Sequence, residues 1–134
     1  DNPHILTLAP PLNLDPKWFG NHLAYTMSKY GMSMTVIGQA EQLKDEGIAA
    51  NALWPKTTIA TAAILNIVGG EALMKMSRKP EIMADAAYHI LTSDSRKCSG
   101  NFFIDEDVLR EKGVSDFDQY AVDLEQGLMP DLFL

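Results

Sequence analysis

Cysteine is nearly missing from this chain: Cys98 is the only one among 134 residues. A single thiol excludes an intrachain disulfide, and nothing in the cysteine usage points to an oxidising compartment. A cytoplasmic or other intracellular setting is therefore the expectation. Basic residues are also scarce, with eleven Lys and Arg against eighteen Asp and Glu, a formal charge of −7 and a pI near 4.8. Nucleic-acid backbones and anionic membrane surfaces both select clustered Lys and Arg, so neither is expected as a partner. Long apolar runs are missing too. The longest, residues 59–68, falls well short of the ~20 residues a membrane span needs, and no basic-then-apolar leader opens the chain. His4, His22 and His89 show no ligand spacing, and with one cysteine no metal site is expected.

What is present suits one domain with a real core, since 46% of the residues are hydrophobic. His4-Ile5-Leu6-Thr7-Leu8-Ala9 reads as a buried parallel strand stopped by Pro10-Pro11. A proline-rich loop to Trp18 follows. From about Asn21, a plausible N-cap, the pattern turns helical. Tyr25, Met32, Val36, Ala40 and Leu43 mark its apolar positions, and Gly47 closes it. Gly31 and Gly38 inside this helix suggest close packing against another backbone. Residues 48–54 form a second apolar run between Gly47 and Pro55. Strand, helix and strand in this order make a right-handed βαβ crossover. Residues 57–76 are apolar and interrupted by Gly69-Gly70; they read equally as a lid or as a pair of surface helices. A helix opens at Pro80-Glu81 and runs through Leu91. Residues 101–105 read as a third strand, Glu106 to Lys112 as a short helix, and the rest as an irregular tail with apolar groups available to pack. The acidic run Asp105-Glu106-Asp107 suits a helix start, where carboxylates complement the helix dipole.

The stretch Ala24-Tyr25-Thr26-Met27-Ser28-Lys29 places a tyrosine and a lysine four residues apart. On a helix that spacing puts both side chains on one face. A free Tyr titrates near ~10 and a Lys near ~10.4, so neither is poised for proton transfer at neutral pH. A nearby cation favours the phenolate and brings the hydroxyl closer to the useful range. Hydride transfer to a carbonyl needs such a proton donor at the developing alkoxide. By chance alone this pair arises in about one chain in four of this composition, so its setting decides its meaning.

That setting resembles the C-terminal half of the short-chain dehydrogenase/reductases over nearly the whole chain. Besides Tyr25 and Lys29, residues Gly47-Ile48-Ala49-Ala50-Asn51-Ala52 look like the family's Gly-Ile-Arg-Val-Asn segment. Pro55-Lys56-Thr57-Thr58-Ile59-Ala60-Thr61 looks like its Pro-Gly loop, and residues 100–105 like its last strand. Residues 10–14, Trp54-Pro55-Lys56-Thr57 and residues 116–120 look most like the catalytic domain of the hydroxysteroid dehydrogenase-like proteins. The resemblance implies an α/β fold, a doubly wound parallel sheet of the Rossmann type present only as its C-terminal half, with ligands beyond the carboxyl ends of the strands. It implies an oxidoreductase moving a hydride between NAD or NADP, with NADP favoured, and a small carbonyl or alcohol substrate; the apolar segment 59–68 suits a lipid-like or steroid-like one. Tyr25 is then the general acid or base and Lys29 the partner of the nicotinamide ribose. Pro55, backbone groups around Ile59, and the Thr61 hydroxyl would hold the nicotinamide carboxamide. A homodimer or homotetramer packed partly through the Tyr25 helix is also implied.

Three features depart from the family pattern. Ala9-Pro10 stands where the substrate-orienting serine is expected, and no serine precedes Ser28. Lys56 replaces the loop glycine and Ile59 falls one residue late. The glycine-rich phosphate loop belongs to the N-terminal half and is not in this sequence. Losing one donor to an oxyanion costs on the order of 10² to 10³ in rate, so a noncatalytic relative that binds ligand or partner subunits is the alternative.

Overall fold

The computed structural model describes residues 2–134. The chain divides into two compact units. One contains the chain up to Trp54, Ala87–Ile104 and Phe133; the other contains Pro55–Ala86, Asp105–Leu132 and Leu134.

The first unit is built on three parallel strands, β1 (His4–Thr7), β2 (Ala49–Trp54) and β3 (Phe102–Ile104), in the order β1-β2-β3. The register runs from His4 opposite Ala49 to Thr7 opposite Ala52, and from Ala52 opposite Phe102 to Trp54 opposite Ile104. All six residues of the central strand β2 are buried. A strand covered on both faces has no polar side to display, which is why its sequence shows no alternation. Its one side-chain amide is partnered at both atoms: Asn51 Nδ2 donates to the Cys98 carbonyl at 2.7 Å, and Oδ1 accepts from the Asn101 backbone and side chain at 3.0 and 2.9 Å. These are the parallel strands and flanking helices of a Rossmann-type α/β sheet. β1 ends two residues earlier than predicted, because the Ala9 N–H turns back onto the Thr7 carbonyl at 3.0 Å. β3 likewise stops at Ile104 instead of residue 105.

Between β1 and β2 lie a short α1 (Lys17–Gly20) and the long α2 (Leu23–Gln42). α1 falls in the stretch predicted as loop. His22, not Asn21, holds the N-cap position of α2, and it makes no side-chain cap bond. α2 ends at Gln42 with Leu43 as its C-cap, earlier than the expected Gly47. Gly47, with φ +72, closes the turn that follows, where Gly47 N and Ile48 N donate to the Lys44 and Leu43 carbonyls, and a Cβ there would run into the Arg96 guanidinium.

The face of α2 that packs inward differs from the predicted one. Thr26, Tyr30, Ser33 and Val36 are buried, while Tyr25 and Met32 are exposed. Three of the four buried side chains are hydroxylic, and each is satisfied by a carbonyl of the preceding loop or of the helix. Thr26 Oγ1 donates to the Trp18 carbonyl, the Tyr30 hydroxyl to Asn13, and Ser33 Oγ to Pro10 at 2.6 Å. A buried hydroxyl with a partner costs little, so this stripe follows the carbonyls of α1 and the loop before it instead of apolar periodicity. Val36 completes a small core with Ala9 and Ala52, against which Phe102 packs.

The second unit is organised around Arg78. Ile59 forms a parallel bridge with Arg78, and Arg78 an antiparallel bridge with Ala121. The apolar segment predicted as lid or surface helices forms a π-helical turn (Ile64–Val68) and α3 (Gly70–Lys75), with no buried residue in α3. α4 (Glu81–Leu91) begins in this unit, and α5 (Asp105–Glu111) follows β3 directly. The tail holds a single 3₁₀ turn, Asp118–Tyr120, and is otherwise irregular, as predicted. The Tyr120 hydroxyl donates to Asp85 at 2.6 Å; burial, then this carboxylate, push its pKa up to about 12. Among the described residues no helix is long and apolar enough to cross a membrane.

Candidate active site

In the first unit the carboxyl ends of the parallel strands carry the predicted pair. α2 delivers Lys29 so that its Nζ donates to the carbonyl of Leu8, just past β1, at 3.2 Å. The same ammonium lies 5.3 Å from the ring centroid of Trp54, the last residue of β2, within cation–π range. An ammonium has three donors, so this carbonyl accounts for one. Tyr25, one helical turn earlier, is 44% exposed, which leaves it accessible from solvent. Its ring stacks on Phe133 with centroids 6.2 Å apart and planes 14° from parallel.

Phe133 belongs to the irregular tail, whose apolar groups have no partner legible in sequence. It is 1% exposed and touches four rings: Tyr30 at 5.1 Å, Trp18 at 5.5 Å, Trp54 at 6.0 Å and Tyr25. Tyr25 and Lys29 are thus brought to one aromatic cluster, one through Phe133 and the other through Trp54. No local signal marks Phe133, because its partners lie about a hundred positions away in sequence. Ala9, where the resemblance expects a serine, is fully buried, and no hydroxyl stands there. The Trp18 Nε1–H is buried without a hydrogen-bond partner.

The second unit holds the other predicted residues. Pro55 is buried, Ile59 half-buried and Thr61 exposed. Their loop is pinned along its length: Lys56 N donates to Asp105 Oδ1 at 2.9 Å, Thr58 N to the Met129 carbonyl at 2.9 Å, and Ala60 N to the Arg78 carbonyl at 2.8 Å. Arg78 N returns to the Thr58 carbonyl at 2.9 Å, so the bridge uses the groups of Thr58 and Ala60 and leaves the N–H and C=O of Ile59 outside it. Thr61 Oγ1 accepts from Ile64 N at 3.5 Å, a loose cap on the turn that follows.

Beside this loop sits a charge cluster, of which the acidic helix start is the part visible in sequence. Asp105 does cap α5, its Oδ1 accepting from Glu106 N at 2.6 Å. Burial pushes its carboxyl up, against the pull of the Lys56 and Glu106 N–H groups. Glu106 then collects three cations: Arg78 Nη1 at 2.6 Å, Lys56 Nζ at 3.1 Å, and Arg110 through Nε and Nη2 at 3.0 and 2.8 Å. Burial alone would raise its pKa, but hydrogen bonds from Arg78, Arg110 and Lys56 outweigh it and hold the carboxyl at about 2. Lys56, which replaces the expected loop glycine, therefore has a structural use. Only the Arg110 pair, four residues on along the same helix, was legible from spacing.

Among the described residues no group of three or more His, Cys, Asp or Glu is arranged to hold a metal. A cleft of about 560 Å³ in the second unit, lined by Lys75, Lys79, Gln119, Val122 and Leu124 among others, contains none of the predicted site residues.

No family model matches the chain. Hydroxysteroid dehydrogenase-like protein 2 of Danio rerio is 56% identical over 133 residues, covering 99% of this chain and 31% of that protein. A solved structure from Xanthomonas campestris, described as a dehydrogenase, superposes with a TM-score of 0.93 at 50% identity, covering 99% of this chain and 48% of its own. A short-chain dehydrogenase from Mycobacterium thermoresistibile does so with a TM-score of 0.89 at 51% identity, covering all of this chain and 47% of its own. The chain thus spans about a third of the length of the curated relatives it matches and about half of the solved ones.

Proposed function

The chain belongs to the short-chain dehydrogenase/reductase family, and from that premise we propose that it carries the proton-transfer part of an NAD(P)-dependent oxidoreductase acting on a carbonyl or alcohol. What supports this reading is the placement of Lys29: its ammonium bonds the Leu8 carbonyl and faces Trp54, at the ends of two adjacent parallel strands, with Tyr25 one turn away. Ligands of open α/β sheets bind outside the carboxyl ends of their strands.

On this reading Tyr25 donates its hydroxyl proton to the substrate oxygen in reduction and takes it back in oxidation, as general acid and base. Lys29 spends one donor on Leu8 and offers the others to the hydroxyls of the nicotinamide ribose. In the second unit, Pro55 stiffens the loop, and the backbone N–H and C=O of Ile59, left out of the bridge to Arg78, match the acceptor and donor of the nicotinamide carboxamide. Thr61 is assigned to the same group. The cofactor, when bound, supplies the hydride. The phosphate-binding part and the choice between NAD and NADP are assigned to residues of the longer protein. The substrate is a carbonyl compound of lipid-like or steroid-like character, and the protein is a homodimer or homotetramer that uses α2.

The test is cofactor binding and turnover of a carbonyl panel by the full-length protein. Tyr25→Phe is expected to retain cofactor binding and lose turnover by roughly 10²-fold or more, the scale of removing a positioned acid or base. Unchanged turnover in that variant would end the catalytic assignment.

A further inference from the structure

The aromatic cluster of the first unit contains a residue in a conformation its chemistry does not favour. Phe133 has φ +74, the one positive φ of a non-glycine residue among the described residues. A bulky side chain in that region is strained by contact between Cβ and backbone, and such residues persist only where the surroundings over-determine them. Here the surroundings are Trp18, Tyr25, Tyr30 and Trp54, and the Phe133 carbonyl accepts from Asn13 Nδ2 at 3.4 Å. The left-handed turn aims the ring inward, where it is almost wholly buried. Of its four neighbours only the Tyr25 ring lies nearly parallel to it, at 14°; the other three are tilted by 49° to 56°. A near-parallel, offset stack fixes the plane of both rings, and that plane sets where the phenol oxygen points.

We propose that Phe133 is a positioning residue for Tyr25: its ring, forced inward by a left-handed backbone, holds the tyrosine ring in one orientation and so fixes the direction of proton transfer. The assignment rests on the catalytic reading of Tyr25. α2 buries Thr26 and Tyr30 and leaves Tyr25 on the open side of the helix, where the ring of Phe133 lies against it. Positioning errors of about 1 Å can cost roughly 10²-fold in rate, so a stack of this kind suffices to matter.

The experiment uses the full-length protein with Phe133→Leu, which keeps apolar bulk and removes the ring, and Phe133→Tyr, which restores a ring. NADPH consumption is followed with phenanthrenequinone and a steroid ketone as probe carbonyls. Through-space NMR cross-peaks between the Tyr25 and Phe133 rings, assigned by their loss in Tyr25→Phe, are measured in parallel. Expected are a cross-peak in the unaltered protein, a roughly tenfold or greater fall in kcat with little change in KM for Phe133→Leu, and recovery of kcat in Phe133→Tyr. No cross-peak in the unaltered protein would overturn the proposal even if Phe133→Leu does not fold. Equal loss of kcat in both variants, or none in either, would overturn it as well. If Tyr25→Phe leaves turnover unchanged, the catalytic reading falls, while the cross-peak still reports whether Phe133 holds the ring.

Discussion

Glu106 places one carboxylate against three cations, and Arg78, the shortest of these pairs, is itself nearly buried. Breaking such a pair by removing one partner leaves an uncompensated buried charge, which costs about 3–5 kcal/mol. Glu106→Gln is therefore expected to lower stability at neutral pH by a few kcal/mol. The pH dependence has a defined sign. The folded-state pKa of about 2 lies below the ordinary 4.5, so the unfolded chain binds the proton more readily. The stabilisation is fully present above about pH 4.5 and is lost as pH falls toward 2. At 1.36 kcal/mol per pH unit, the displacement is worth about 3 kcal/mol. Urea unfolding across that window should show a slope in the parent that is largely flattened in Glu106→Gln. Equal slopes would mean the cluster does not hold Glu106 ionised. The sequence displayed the acidic run and the Arg110 spacing; it did not show that Arg78 and Lys56 converge on the same carboxylate, because each comes from a separate loop.

At the scale of elements, α2 shows most clearly where periodicity misleads. Its presence and approximate extent were readable, while its buried face was not, because the inward stripe is Thr26, Tyr30 and Ser33 bonded to carbonyls of α1 and of the loop before it. The outward side carries Leu23, Met27, Met34 and Ile37, all exposed. Gly31 and Gly38 were expected to pack against a backbone, yet a Cβ at either meets nothing within 4 Å among the described residues. Within the chain, glycine there only costs helix propensity. Alanine at each position is expected to raise the unfolding free energy of the chain by ~0.5–1 kcal/mol. If α2 packs against a second copy, the same substitutions fill the contact and weaken association of the full-length protein, read by sedimentation. A protein that sediments as a monomer before and after substitution would refute the proposed use of α2.

At the scale of the whole molecule, the chain covers about a third of the curated relatives it matches, and on the proposed reading the phosphate-binding half belongs to the rest. The 134-residue chain by itself is then expected to bind no nicotinamide cofactor measurably in calorimetry, while the full-length protein does; tight binding by the chain alone would contradict the division. The sequence by itself determined the parallel α/β pattern, the Tyr25–Lys29 spacing and the loop from Pro55 to Thr61, because these are local: strand runs, a four-residue helical step, a proline-led turn. Only the tertiary structure decided that Lys29 reaches the Leu8 carbonyl and Trp54, that Glu106 gathers cations from three segments, and that a phenylalanine more than a hundred residues downstream lies against the ring of Tyr25. Those contacts join positions far apart in sequence, and no local pattern encodes where a distant side chain comes to rest.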